Sequence, residues 1–300
     1  MLFRSQPVKD LYRIIESNTR FPRMLMGDVQ SQLAGCLLGK EMFLGVVKKY
    51  GLADVREAIT LMWDRAEAAA RKAIAAIPDG TYRASSFLDG DSIEKDRTVQ
   101  VGVEVKVDGE EMTVDFSGVS DEVRGPLNSG REGGAVTAAR IAFKYLVSPD
   151  EPANEGSFRP LKVVIPEGKF LSAKPSAAMG GYSTPLPIVI DTVIRALGSG
   201  LPDHAAGGHH GNFGIHRYSG RYPAGHPQAG QLFSSNSTMQ GGWGALRGQD
   251  GPGPYKTMAH GDTLDIPVEM QEALYPIRIE EQRLRTDSGG AGEFRGGLGV

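Results

Sequence analysis

The chain has 300 residues, 40% of them apolar and 23% charged, with a formal charge of −3. That suits one large or two ordinary globular domains and leaves no basic footprint for a nucleic acid. No apolar run approaches the ~18 residues a membrane span needs, since the most apolar stretch, residues 34–47, is broken by Lys40 and Glu41. The one cysteine, Cys36, excludes an intrachain disulfide and a cysteine-based zinc site. With no secretory leader in view, it points to the cytoplasm.

Two regions are expected, a helical segment over residues 6–78 and a glycine-rich mixed region over 79–300. Met1 to Ser5 read as a remnant joined to the native chain, and the whole reads as a piece of a longer protein. From residue 8, Val29, Leu33, Leu37, Leu44 and Val47 recur at helical spacing, and Gly51 follows as a stop signal. Val55, Ile59, Met62, Ala66, Ala70, Ala73 and Ile77 make a second stripe, closed by Pro78-Asp79-Gly80. Two long helices joined at Gly51 predict a helical hairpin.

The period then changes from about 3.6 to 2. Val99, Val101, Val103, Val105 and Val107 alternate with polar residues, Asp108-Gly109 makes a turn, and Met112, Val114 and Phe116 alternate again. That predicts a β-hairpin with one buried face, with a neighbouring strand over residues 82–88. Helices are predicted over 135–146 and 187–197, and strands over 161–165, 231–235 and 274–284. The fold class is therefore mixed α+β: a helical front, then a sheet-and-loop rear with intervening helices. Of the 40 glycines, 24 fall between Gly180 and Gly299, so the rear should be rich in turns and close backbone approaches.

Several standard sites are missing. The stretch from Gly35 to Lys40 is one residue short of a phosphate loop and continues with Glu41. Gly181-Tyr-Ser183-Thr-Pro185 has proline where a nucleophile elbow needs glycine. Cys36 lies among leucines in a predicted helix, where a thiol is an inert small hydrophobe.

All six histidines fall between His204 and His260, most densely in Gly207-Gly-His-His-Gly-Asn-Phe-Gly-Ile-His216. Imidazoles can act as acid or base near neutral pH, and the glycines let backbone approach a ligand. His209, His210 and Asn212 are the candidate catalytic residues, with Asn128, Arg159, Asn236 and His260 as candidate substrate contacts. Asn amides could orient an amide or carbonyl, and Arg159 could clamp a carboxylate. The opposing readings are an ordinary Gly/His-rich surface loop, a turn capped by Asn128 and a structural ion pair for Arg159. No metal ligand is assigned within this chain, because neighbours such as His209 and His210 seldom hold one ion together.

The order of the motifs is more specific than any one of them. Gly27-Asp-Val-Gln-Ser-Gln32, Pro78-Asp-Gly-Thr-Tyr82, Val114-Asp-Phe-Ser-Gly118, Gly125-Pro-Leu-Asn128 and Asn154-Glu-Gly-Ser-Phe-Arg-Pro160 run in series. Tyr275-Pro276 and the run over residues 287–299, Asp-Ser-Gly-Gly-Ala-Gly-Glu-Phe-Arg-Gly-Gly-Leu-Gly, complete it. In this order the chain resembles the hydantoinase B/oxoprolinase family from about residue 8 onward. The resemblance implies one half of an ATP-dependent enzyme that opens cyclic amides such as hydantoins, 5-oxoproline or caprolactam. ATP would be bound by a hydantoinase A-type partner, and a divalent metal would sit in an upstream portion for which nothing before Gly27 matches. Where many relatives have Met-Asn-Asn, this chain has His209-His210-Gly211-Asn212, which leaves the substrate class open. Two alternatives remain: a ketone (acetone or acetophenone) carboxylase-type subunit on the same scaffold, and a non-catalytic assembly subunit.

Overall fold

A computed structural model describes residues 2–3, 6–94, 96–212, 214–260 and 263–300; Met1, Arg4 and Ser5 of the expected remnant lie outside them. The chain divides into two compact units, residues 1–62 and 63–300.

The first unit begins with a short ladder, β1 (Leu2–Phe3) against β2 (Gln6–Pro7). Three helices follow: α1 (Lys9–Ser17), α2 (Pro22–Tyr50) and the beginning of α3 (Leu52–Ile74). Pro22 suits the first turn of α2, where its missing N–H has no partner to lose. Gly51 ends α2 at φ 86°, donating its N–H to the Val47 carbonyl at 2.8 Å. Beside this joint Phe43, Val46, Tyr50, Val55, Ile59 and Met62 line an apolar crevice. The expected apolar stripe of α2 stays largely open, with Leu37 42% and Leu44 52% exposed. Leu38, Met42 and Phe43 are exposed as well, because apolar residues surround this helix and one neighbour cannot cover every side.

The second unit holds the main core. Its sheet is ordered β3 (Gly80–Leu88), β4 (Val99–Asp108), β5 (Glu111–Asp115) and β6 (Leu161–Val164). The first three strands pair antiparallel, and β6 joins β5 in parallel. The alternating valines of β4 are all buried, together with Met112 and Val114 of β5. Each such side chain contributes about 1.5–3 kcal/mol on burial. Helices α4 (Thr137–Leu146) and α5 (Leu186–Gly198) pack on each other, and α5 packs on β3 and β4. Ala70, Ile74 and Ile77 join the same core.

Beyond α5 the chain forms a two-stranded ribbon, β7 (Ile215–Arg221) against β8 (Leu232–Thr238), and the short helix α6 (Val268–Leu274). The mixed α+β reading holds. Two local expectations do not. Strand β7 was missed because His216, Arg217, Ser219 and Arg221 hide its alternation, and no strand forms over residues 274–284. Instead, Val268–Leu274 is helical and the chain beyond has no partner strand.

Candidate functional site

The glycine-rich rear folds into layers of nearly touching backbone. Gly207 donates its N–H to the Ala245 carbonyl (2.8 Å), His210 to that of Gly242 (3.1 Å) and Gly297 to that of Trp243 (3.0 Å). Gly241 and Tyr255 exchange both backbone bonds at 2.9 Å. Side chains cannot fit between these layers. A Cβ on Gly244 would lie 1.8 Å from the Gly207 carbonyl oxygen, and one on Gly242 would lie 1.8 Å from that of Gly297. Glycine is required here by close approach.

These layers enclose a cleft of about 830 Å³. Its walls come from residues 207–212, from residues 239–245 and from the terminal stretch 285–300. The terminal glycine run is therefore both a set of turns and part of the wall. Arg295 braces it by donating its N–H to Asp250 (2.8 Å) and pairing with Asp287 (3.2 Å). A second cavity of about 580 Å³ adjoins the cleft and shares His216, Met239, Gln240 and Val300 with it.

His209, His210 and Asn212 all border the cleft. The His209 side chain is only 3% exposed. Its ring Nδ1 lies within hydrogen-bond distance of Asp191 Oδ1 at 2.8 Å, and its backbone N–H donates to Asp191 Oδ2 at 2.9 Å. The rings of Trp243 and Tyr145 stand edge-on to it, at centroid distances of 5.0 and 5.7 Å. His209 Nε2 is buried and has no hydrogen-bond partner among the described residues. His210 lies against Gly241 and Gly242, with Nδ1 3.4 Å from the Gly242 carbonyl oxygen. Burial holds its ring below the ordinary imidazole range, so it is biased to neutrality. Its Nε2 is also buried without a partner among the described residues. Asn212 accepts the Gly214 N–H at 2.8 Å, fixing the turn that follows.

The four expected substrate contacts stand elsewhere. Asn128 is completely buried. Its oxygen accepts the Val123 N–H, and its nitrogen donates to the carbonyls of Val123, Gly125 and Ala178. With Asp91, which accepts the N–H of Gly125 at 2.7 Å, it ties down the glycine-proline turn. Arg159 pairs with Asp64 and Glu67, both at 2.9 Å, and lies over the Trp63 ring. That pairing holds the Glu67 carboxyl below its ordinary range, chiefly through the Arg159 hydrogen bond. Asn236 accepts from Arg217 Nε across the ribbon at 3.0 Å. His260 shares a hydrogen bond with Thr257 Oγ1 at 2.9 Å, and burial, aided by Lys256, pushes its ring down. None of the four borders the cleft.

Sequence reasoning did not single out Asp191, Trp243, Tyr145 or Arg285, and it named His216 only as part of the histidine-rich run. Asp191 had a signal, as the one charged residue within the apolar run Leu186-Pro-Ile-Val-Ile-Asp-Thr-Val-Ile194. Trp243, inside Gly241-Gly-Trp-Gly244, carried a weaker one.

The architecture and the ordered motifs have counterparts. The profile of the hydantoinase B/oxoprolinase family matches residues 2–300. The chain belongs to that family. A hydantoinase B-type protein of Pseudomonas sp. (strain NS671), provisionally assigned to a D-/L-hydantoinase, is 31% identical over 98% of this chain and 50% of its own length. The crystal structure of the ATP-dependent caprolactamase from Pseudomonas jessenii superposes with a TM-score of 0.87 at 26% identity, over 98% of this chain and 51% of that one. A nucleotide-free acetone carboxylase structure superposes at 0.85 with 19% identity, over 98% and 40%, which is a likeness of fold. The chain thus spans about half the length of the Pseudomonas sp. hydantoinase B-type protein and of the caprolactamase chain. Among the described residues no three His, Cys, Asp or Glu side chains are placed to hold a metal ion. No helix among them is long and apolar enough to cross a membrane.

Proposed function

We propose that this hydantoinase B-type chain forms part of a subunit of an ATP-dependent cyclic amide hydrolase, which opens hydantoin, 5-oxoproline or lactam rings in the cytoplasm together with a hydantoinase A-type ATP-binding partner. The observation that carries this reading is the cleft. Two histidines with unpartnered buried Nε2 atoms and an asparagine line a glycine-walled space, on a fold similar to that of an ATP-dependent caprolactamase.

An unactivated amide is a poor electrophile, and its nitrogen is a poor leaving group. Phosphorylation of the amide oxygen, with ATP held by the partner, would supply the missing activation. His209 and His210 are assigned to proton transfer and hydrogen bonding, and Asn212 to orienting the substrate. His216 and Arg285, which border the cleft, take the contact role first expected of Asn128, Arg159, Asn236 and His260.

The test is co-expression of the full-length protein with its hydantoinase A-type partner, assaying ATP hydrolysis against hydantoin, 5-oxoproline and caprolactam. Consumption of ATP that depends on one of them supports the reading, and none across the panel sinks it. The likeness to acetone carboxylase supports a second reading, ketone carboxylation. Bicarbonate-dependent ATP consumption with a ketone, and none with lactams, would decide for that. A third reading, assembly alone, predicts that replacing His209, His210 and Asn212 by alanine leaves the complex fully active.

A further inference from the structure

The two adjacent histidines sit in different chemical environments. His209 has a carboxylate partner in Asp191, whereas His210 has a backbone carbonyl. Asp191 belongs to α5, a helix of 13 residues of which 10 are buried. A carboxylate in such surroundings needs its oxygens satisfied. Both are, and by one residue: Oδ2 by the backbone N–H of His209 and Oδ1 by its ring. A backbone N–H cannot rotate away, so it orients the carboxylate, and the carboxylate orients the ring. Trp243 and Tyr145, at interplanar angles of 71° and 82° to the imidazole, close off the space in which it could turn.

A purely structural histidine would be expected to engage both ring nitrogens, because a buried acceptor without a partner is costly. His209 engages one. With Nδ1 carrying the proton toward Asp191, Nε2 is left as a bare lone pair. We propose that Asp191 and His209 form a carboxylate–imidazole dyad in which Asp191 is the positioning residue and His209 Nε2 is the proton carrier for opening the cyclic amide.

This role rests on the cyclic-amide reading above. With the amide oxygen phosphorylated, the oxygen of a water bonds to the former carbonyl carbon. One water proton passes to Nε2 and on to the ring nitrogen, which has gained an electron pair from the carbon–nitrogen double bond. The carbon-bound hydroxyl then gives up its proton by the same route. The remaining carbon–nitrogen bond breaks with its electron pair on nitrogen, leaving an amine and an acyl phosphate. A second water cleaves the acyl phosphate to a carboxylate and inorganic phosphate. His210, held toward neutrality by burial although Asp191 acts on it through space, adds a hydrogen-bonding neighbour to this site and has no carboxylate bonded to its ring.

The decisive variant is Asp191→Asn in the full-length protein with its partner, assayed with hydantoin, 5-oxoproline and caprolactam. An amide has the same shape, but it cannot accept from both the backbone N–H and Nδ1–H of His209. The ring is then driven to the other tautomer, with its proton on Nε2. By analogy with the same exchange in a serine-protease triad, kcat should fall by about 10⁴-fold, with KM changing much less. His209→Gln should cost as much, and the double variant no more than either single one. A folded Asp191→Asn protein with kcat within about tenfold of wild type overturns the dyad.

Should that variant fail to fold, ¹⁵N NMR of the wild-type histidines, assigned with His209→Gln, settles the tautomer. A ring protonated on Nδ1 is expected, and one protonated on Nε2 overturns the proposal. If the wild-type complex turns over none of the three probes, the cyclic-amide reading and the proton route fall together. The NMR result then still decides whether the dyad exists.

Discussion

Glycine does opposite things in the two halves of this molecule. In helix α2, Gly27, Gly35, Gly39 and Gly45 sit at ordinary helical positions with nothing within 4 Å of where a Cβ would be. There glycine only loosens a helix. Around the cleft, Gly242, Gly244 and Gly251 have backbone oxygens within about 2.1 Å of the same point, and the layers could not close with any other residue. The titratable chemistry divides in the same way: the helical unit has no histidine, while all six lie in the rear. A high glycine count is therefore not one property, and its meaning depends on what the fold brings against each position.

Four experiments can break or sharpen that contrast. The largest effect is expected from Asp191→Asn, the loss in kcat set out above, because it acts on the reacting proton. Next come Gly242→Ala and Gly244→Ala, where a methyl group meets a carbonyl oxygen that a rigid neighbouring layer holds in place. Each should destabilise the protein by about 3 kcal/mol, measured by denaturant or thermal unfolding. Melting within a degree of wild type would mean that the layers are not closed in solution.

The third effect is on pH dependence. His210 and His260 are both held below the ordinary imidazole value, first by burial. Between the folded and unfolded values the unfolded chain binds the extra protons, so stability rises with pH there. Their contribution is complete above about pH 6.5 and is lost as the pH falls through the folded values. Melting curves between neutral and mildly acidic pH should show this loss, and His210→Asn should flatten it. A protein whose melting temperature is level across that range would contradict the burial of these rings. The smallest effect has the opposite sign: Gly35→Ala and Gly39→Ala should each stabilise α2 by about 0.5–1 kcal/mol. Destabilisation there would show that something packs on these glycines.

Much of the fold was legible because its signals are local. Strict alternation placed β4 and β5, and apolar periodicity placed α4 and α5 to within a residue or two. The candidate site was legible in part. The crowding of glycine, histidine and asparagine over residues 207–216 drew attention to His209, His210 and Asn212, and all three border the cleft. Asn128 and Arg159 drew attention for the same chemical reasons, yet one ties a turn and the other an ion-pair cluster. A polar side chain near a glycine looks alike in both settings until its partners are known.

By itself, then, the sequence determined the element types as far as α5, the order of the family's motifs and the segment that carries the imidazoles. Those follow from neighbours a few residues apart, where periodicity and turn chemistry act directly on the backbone. Only the tertiary structure decided which imidazole has a carboxylate behind it. Asp191 and His209 are 18 positions apart, on a buried helix and on a glycine-rich loop. The packing of α4, α5 and the Trp243 layer, rather than any local preference, sets the distance and angle between them.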